Sequence, residues 1–145
     1  MENEHFYDVS VTWDRDRMGT MTSTVLGPAL EVATPPEFPK GMAGIWSPEH
    51  LLVAAVNSCL MTTFLAIAEN SKLNFKSFTS EASGKLEKVE GKYMITEITL
   101  EPAVVVENAA DKERAEKVLQ KSEAACLISN SIKSKIIFKP NVVNA

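Results

Sequence analysis

Residues 51 to 68, Leu-Leu-Val-Ala-Ala-Val-Asn-Ser-Cys-Leu-Met-Thr-Thr-Phe-Leu-Ala-Ile-Ala, contain no charged side chain. No other stretch limits the folding of this chain as much. A helix that is apolar on nearly all sides must be covered on nearly all sides. A membrane is one possible cover, since the stretch is about the minimum length for a span. Asn57, Ser58, Thr62 and Thr63 dilute it, however, and no basic flank marks an orientation. A chain of 145 residues covers such a helix most easily by packing it against another subunit. The expectation is a homodimer with no membrane partner.

The start of that helix is sharply marked. Ser47 is an N-cap, Pro48 suits the first helical position, and Glu49 suits the positive end of the helix dipole. The helix is predicted to run to about Glu69 or Asn70. Before it, residues 34 to 46 carry three prolines and two glycines and read as a loop. Phe38, Met42, Ile45 and Trp46 in that loop are candidates to line a pocket.

Nearer the N-terminus, residues 5 to 13 alternate, with Tyr7, Val9, Val11 and Trp13 on one side. Asp14 to Gly19 reads as a polar turn, so 5 to 25 is predicted as a hairpin. Leu30 to Ala33 adds a short third strand after a Gly27-Pro28 turn. Beyond the long helix, 73–89 and 92–106 are β-prone segments around a Glu90-Gly91 turn. Asn108 is a predicted cap for a second helix over 109 to 126, with Ala115, Val118, Leu119, Ala125 and Cys126 on its apolar face. A last short strand is expected within 131 to 139. The order βββ-α-ββ-α-β is an α+β plan in one domain.

Charge and composition exclude several functions. Fifteen basic and nineteen acidic residues leave a net charge of −4, with no basic stripe to bind nucleic acid. Cys59, Cys126, His5 and His50 show no metal-ligand spacing. No glycine-rich loop opens a helix, so neither a nucleotide nor any other cofactor is expected. The first residues, Met-Glu-Asn-Glu-His, are acidic and polar and lack the pattern of a secretory signal. That sets a cytoplasmic expectation, where a disulfide is more often transient and functional than structural.

The two cysteines carry the chemistry. Cys59 lies in the middle of the uncharged helix and Cys126 near the end of the second. A buried, inert thiol is the plain reading of either one. Together, at helical and mostly apolar positions, they suggest a redox pair. Arg15 and Arg17, in the turn Asp14-Arg-Asp-Arg17, offer a guanidinium to stabilise a thiolate, which is the nucleophilic form. Glu49 could hold such an arginine through a bidentate ion pair. It stands ten residues before Cys59, ~15 Å along a straight helix, so a site shared by two subunits is favoured.

Ser47-Pro-Glu-His-Leu-Leu-Val-Ala-Ala-Val-Asn-Ser-Cys-Leu60 resembles the signature of the OsmC/Ohr family, the osmotically inducible protein C and organic hydroperoxide resistance proteins. The Trp13 to Gly19 turn, the Pro-rich loop and Cys126-Leu-Ile-Ser-Asn-Ser131 follow the same layout, so the resemblance covers essentially the whole chain. It implies an OsmC-like fold in an intertwined homodimer, with two central helices and sites at the interface. It implies a thiol-dependent peroxidase acting on organic hydroperoxides. Cys59 would be the peroxidatic and Cys126 the resolving residue, with a disulfide between them reopened by a lipoyl-type dithiol. Arg17 and Glu49 would poise the thiolate; Arg17, with Gly19 after it, fits the family's Arg-x-Gly setting better than Arg15. Where many members have proline after the second cysteine, this chain has Leu127. The rival from another class is a non-catalytic dimeric binding module with inert cysteines.

Overall fold

The computed structural model describes residues 3–145. The chain divides between Leu51 and Leu52 into two compact units.

In the first unit, β1 (Ser10–Arg15), β2 (Met18–Ser23) and β3 (Leu26–Ala33) form an antiparallel meander in the order β1-β2-β3. The β1–β2 turn is tight because Asp16 takes a left-handed backbone, φ 48°, a conformation that Asp tolerates better than most residues. The Trp13 indole N–H closes that turn by donating to the Asp16 carbonyl at 3.0 Å. The predicted hairpin is therefore present, but β1 starts at Ser10, so residues 5 to 9 of the expected strand lie outside it. The Gly27-Pro28 turn is corrected: both residues lie inside β3, and the chain reverses before Leu26. An edge strand can hold a proline, because the missing N–H can face away from the ladder. Across β2 and β3, Met18 stands opposite Ala33 and both are buried.

The loop that follows is pinned to the hairpin. Thr34 N–H donates to Arg17 O at 3.2 Å, Met42 N–H to Thr34 O at 2.9 Å, and Ala33 N–H to Trp46 O at 2.9 Å. Gly41 is required where the loop folds back on itself, since a Cβ there would sit 1.9 Å from Pro35 O.

Helix α1 (Pro48–Asn70) matches the predicted bounds. The Ser47 hydroxyl is fully buried and accepts the His50 N–H at 3.1 Å, while His50 Nδ1 lies 2.6 Å from the same oxygen. This is a capping arrangement in which histidine takes the place commonly held by Glu or Gln. Among the described residues, α1 is the one helix long and apolar enough to cross a membrane. In this fold one face of it is packed: Val56, Leu60, Phe64 and Ala68 are buried. Met61 and Leu65 on the opposite face are exposed.

The second unit is built on a sheet. The long hairpin of β4 (Ser77–Val89) and β5 (Lys92–Val106) turns at Glu90-Gly91, both left-handed with φ 51° and 81°, as a two-residue hairpin turn of mirror-image type demands. Along its other edge β5 pairs in parallel with β6 (Lys135–Phe138) and then with β7 (Asn141–Asn144). β7 is an addition to the expected order, which becomes βββ-α-ββ-α-ββ. The break between β6 and β7 falls at Pro140, opposite the part of β5 that holds Pro102. Neither proline has an N–H to give to a ladder. Pro102 is also the register partner of Ser80 in β4, and Asn57 of α1 donates to the Ser80 carbonyl at 2.9 Å.

Helix α2 (Lys112–Ala125) follows a single 3-10 turn, Ala109–Asp111, that was expected as helix. Asn108 precedes that turn but makes no side-chain capping bond. Its buried stripe is Ala115, Val118, Leu119 and Ser122, at helical spacing. Ala125, expected on that face, is exposed; Ser122 continues the stripe because its hydroxyl is satisfied by Val118 O at 2.6 Å. α1 and α2 pack against the sheet through two clusters. One gathers Phe64, Leu73, Val104, Val106, Val118 and Leu119. The other gathers Val56, Leu60, Ile98 and Leu100, joined by Ile128, Ile132 and Ile136.

Candidate functional site

Cys59 sits on α1 one residue before buried Leu60 and is itself half-buried. Its position follows from the two faces of the helix: the buried stripe fixes α1 on the sheet, and Cys59 lies at the margin of that stripe. Gly84 of β4 sets how closely the helix approaches, since a Cβ there would lie 2.6 Å from Val53 Cγ2. Thr63, one helical turn after Cys59, brings its hydroxyl to 3.9 Å from the sulfur.

Cys126 is fully buried and caps the C-terminal end of α2. Its backbone leaves the helical region there, with φ −65° and ψ 109°, so the chain turns away from the helix axis directly after the thiol. The sulfur lies 4.0 Å from Val56 O on α1. Both cysteines are free thiols. The structure thus brings Cys126 against α1 three residues before Cys59, from 67 positions away in the sequence (126 − 59), and each thiol influences the ionisation of the other.

The surroundings push the two thiols in opposite directions. Burial pushes Cys59 up, but hydrogen bonds outweigh it: the Ile128 backbone N–H first, then the Cys126 thiol, the Thr63 hydroxyl and the Leu127 backbone N–H hold its pKa below the ordinary thiol value. For Cys126, burial pushes up and dominates; Ser129 opposes it through its hydroxyl and its N–H, while the neighbouring Cys59 pushes the same way as burial. The result is one thiol that ionises more readily than an ordinary cysteine and a second that ionises less readily. That is the arrangement needed for a nucleophile with a proton-bearing partner.

The other predicted residues lie in the first unit. Arg17 is exposed and, with Asp16, Lys40 and Met42, lines an open cavity of about 540 Å³. Lys40 there has a left-handed backbone, φ 65°. Arg15 instead pairs with Asp16 at 3.1 Å on the surface. Glu49 is in the first turn of α1, and it makes no ion pair with Arg17 among the described residues. Of the apolar loop residues proposed as pocket lining, Met42 borders the cavity, while Trp46 packs edge-on against His50 with ring centres 6.3 Å apart.

Sequence reasoning passed over three contributors. Thr63 was legible, because it follows Cys59 by four residues on a helix. The main-chain donors of Leu127 and Ile128 were not, because nothing in a residue's identity tells where its N–H points.

Comparisons with known proteins agree with this architecture. The family model described as OsmC-like protein matches residues 41–141. An OsmC-like protein of unknown function from Vibrio cholerae superposes with a TM-score of 0.85 at 26% identity, covering 94% of this chain and 99% of that one. An organic hydroperoxide resistance protein from Elizabethkingia anophelis superposes with a TM-score of 0.76 at 22% identity, covering 98% and 99%. The uncharacterised protein YmaD of Bacillus subtilis is 27% identical over 144 residues, 94% of this chain and 91% of its own.

Proposed function

This chain belongs to the OsmC-like protein family, and from that premise we propose that it is a cytoplasmic, cysteine-based peroxidase that reduces organic hydroperoxides. The observation that carries the reading is the pair of free thiols that influence one another's ionisation, with Cys59 shifted down and Cys126 shifted up. Family membership supports a role in peroxide or other stress, and solved relatives at 22% and 20% identity are organic hydroperoxide resistance proteins.

In the proposed reaction the Cys59 thiolate attacks the distal oxygen of the hydroperoxide. The O–O bond breaks, its electron pair leaves with the alkoxide, and the alkoxide takes a proton to become the alcohol. Cys59 is then a sulfenic acid. The Cys126 sulfur attacks the Cys59 sulfur, the S–O bond breaks, and hydroxide leaves as water with the proton that Cys126 gives up. A Cys59–Cys126 disulfide results. An external dithiol of lipoyl type reduces it by exchange and is itself oxidised to a disulfide.

Arg17 is assigned to stabilise the thiolate and the departing oxygen, and Glu49 to fix Arg17 by an ion pair. Arg17 already borders an open cavity, and a guanidinium offers several N–H donors to an oxygen in a fixed fork. The active form is a homodimer, supported by the apolar face of α1 that one chain leaves exposed.

The test is turnover of cumene hydroperoxide with dihydrolipoamide. Cys59→Ser should abolish it. Cys126→Ser should still be oxidised once per chain, seen as one added oxygen by intact mass, and then stop. Multiple turnovers by Cys59→Ser would refute the assignment.

A further inference from the structure

The helix that carries Cys59 holds three hydroxyl side chains, Ser58, Thr62 and Thr63. Two of them bond back to the main chain: Ser58 donates to Ala55 O at 3.3 Å and Thr62 to Cys59 O at 3.1 Å. Ser122 in α2 does the same, to Val118 O at 2.6 Å. That is the ordinary use of a hydroxyl on a helix, where the carbonyls three and four residues earlier lie within reach. Thr63 departs from it. Its Oγ1 lies 3.9 Å from the Cys59 sulfur, and that sulfur is its partner among the described residues.

The cause sits one residue earlier. A carbonyl oxygen has two lone pairs. The Cys59 oxygen is the acceptor for the Thr63 N–H in the helical ladder, and it also accepts the Thr62 hydroxyl. Neither lone pair is left for the Thr63 hydroxyl, which turns to the sulfur instead. Ionisation then fixes the sense of that contact. Beside a thiol either group can donate. Beside a thiolate only the hydroxyl can, and a hydrogen bond to a charged acceptor is shorter and stronger. The contact therefore favours the ionised sulfur over the neutral one, which is the direction in which Thr63 acts on Cys59. Of the groups acting on that sulfur, Cys126 is titratable and none carries a charge.

We propose that Thr63 is a further catalytic residue, donating its hydroxyl to the Cys59 thiolate, and that Thr62 is the positioning residue that keeps it there by occupying the Cys59 carbonyl. The proposal deepens the peroxidase reading, and rests on it only in taking this sulfur as the nucleophile.

The experiment is the rate of iodoacetamide alkylation at Cys59 against pH, read by peptide mass. Thr63→Val removes the hydroxyl and keeps the branched shape. It should move the midpoint upward and slow alkylation near pH 6 by about 3- to 10-fold, a tenfold loss being one pKa unit, with the high-pH limiting rate retained. Thr63→Ala should shift it in the same way, and serves if the valine variant does not fold. Thr63→Ser keeps the donor and should keep the wild-type midpoint. Thr62→Val touches no sulfur, but it frees the Cys59 carbonyl to compete for the Thr63 hydroxyl. It should shift the midpoint upward by a smaller step, and add nothing in the double variant with Thr63→Val, because the two act through one contact. An unmoved midpoint in Thr63→Val and Thr63→Ala, or an equal shift in Thr63→Ser, overturns the catalytic donor. An unmoved midpoint in Thr62→Val, or a full extra shift from it in the double variant, overturns the positioning role. The readout uses no peroxide, so an inactive peroxidase and an idle Thr63 give different results.

Discussion

At the scale of single residues, the site is a contrast between two sulfurs. Cys59 is half-buried with its pKa lowered, and Cys126 is sealed in with its pKa raised. The sign of the pH dependence follows. A thiol with a depressed pKa is mostly thiolate once the pH exceeds that pKa, so its reactivity rises through a midpoint below the ordinary thiol value and then levels off. Limited iodoacetamide treatment at neutral pH should therefore label Cys59 alone, with Cys126 modified only after denaturation; peptide mass mapping checks this, and equal labelling of both would remove the contrast. The residue types at this site were legible in the chain, as two cysteines at helical positions. Their partners were only partly so. Thr63 follows from helical spacing, whereas the Leu127 and Ile128 amides depend on how the main chain leaves α2, which residue identity does not encode.

At the scale of elements, local chemistry and tertiary demand diverge at identifiable places. α1 was legible to the residue because Ser47 and Pro48 mark its start with strong local preferences. The β4–β5 hairpin was legible at its tip because Glu90-Gly91 suits a turn with both residues left-handed. β7 was not, since a four-residue strand has little periodicity of its own and exists here because β5 offers it an edge. Gly27-Pro28 misled for a similar reason: a proline tolerated at a sheet edge looks locally like a turn. Gly84 has a tertiary reason as well, close contact with Val53. A methyl group placed there meets Val53 Cγ2 at 2.6 Å and Ile95 Cγ2 at 3.5 Å, neither of them at the end of a flexible chain. Gly84→Ala should therefore lower unfolding stability by about 1–3 kcal/mol, the usual cost of overpacking. A urea melt measures it; an unchanged midpoint would mean that α1 can lift from β4 at no cost.

For the whole molecule, the uncharged helix that limited the sequence reading remains half-explained by one chain. Its packed face is accounted for by the sheet, but Ser58, Met61, Thr62, Leu65 and Ala66 form an exposed face of small and apolar residues. A second copy of the chain is the proposed cover. Leu65→Lys places a charge in that seam and should convert dimer to monomer in sedimentation velocity at micromolar concentration, while far-ultraviolet circular dichroism stays the same. A wild type that already sediments as a monomer would rule the dimer out. The main-chain ties between the loop and the hairpin carry a different consequence. Where amides rather than side chains hold a segment, most exchanges along it leave the tie in place, and a proline at Thr34 or Met42, which removes a donated N–H, is the change that releases it.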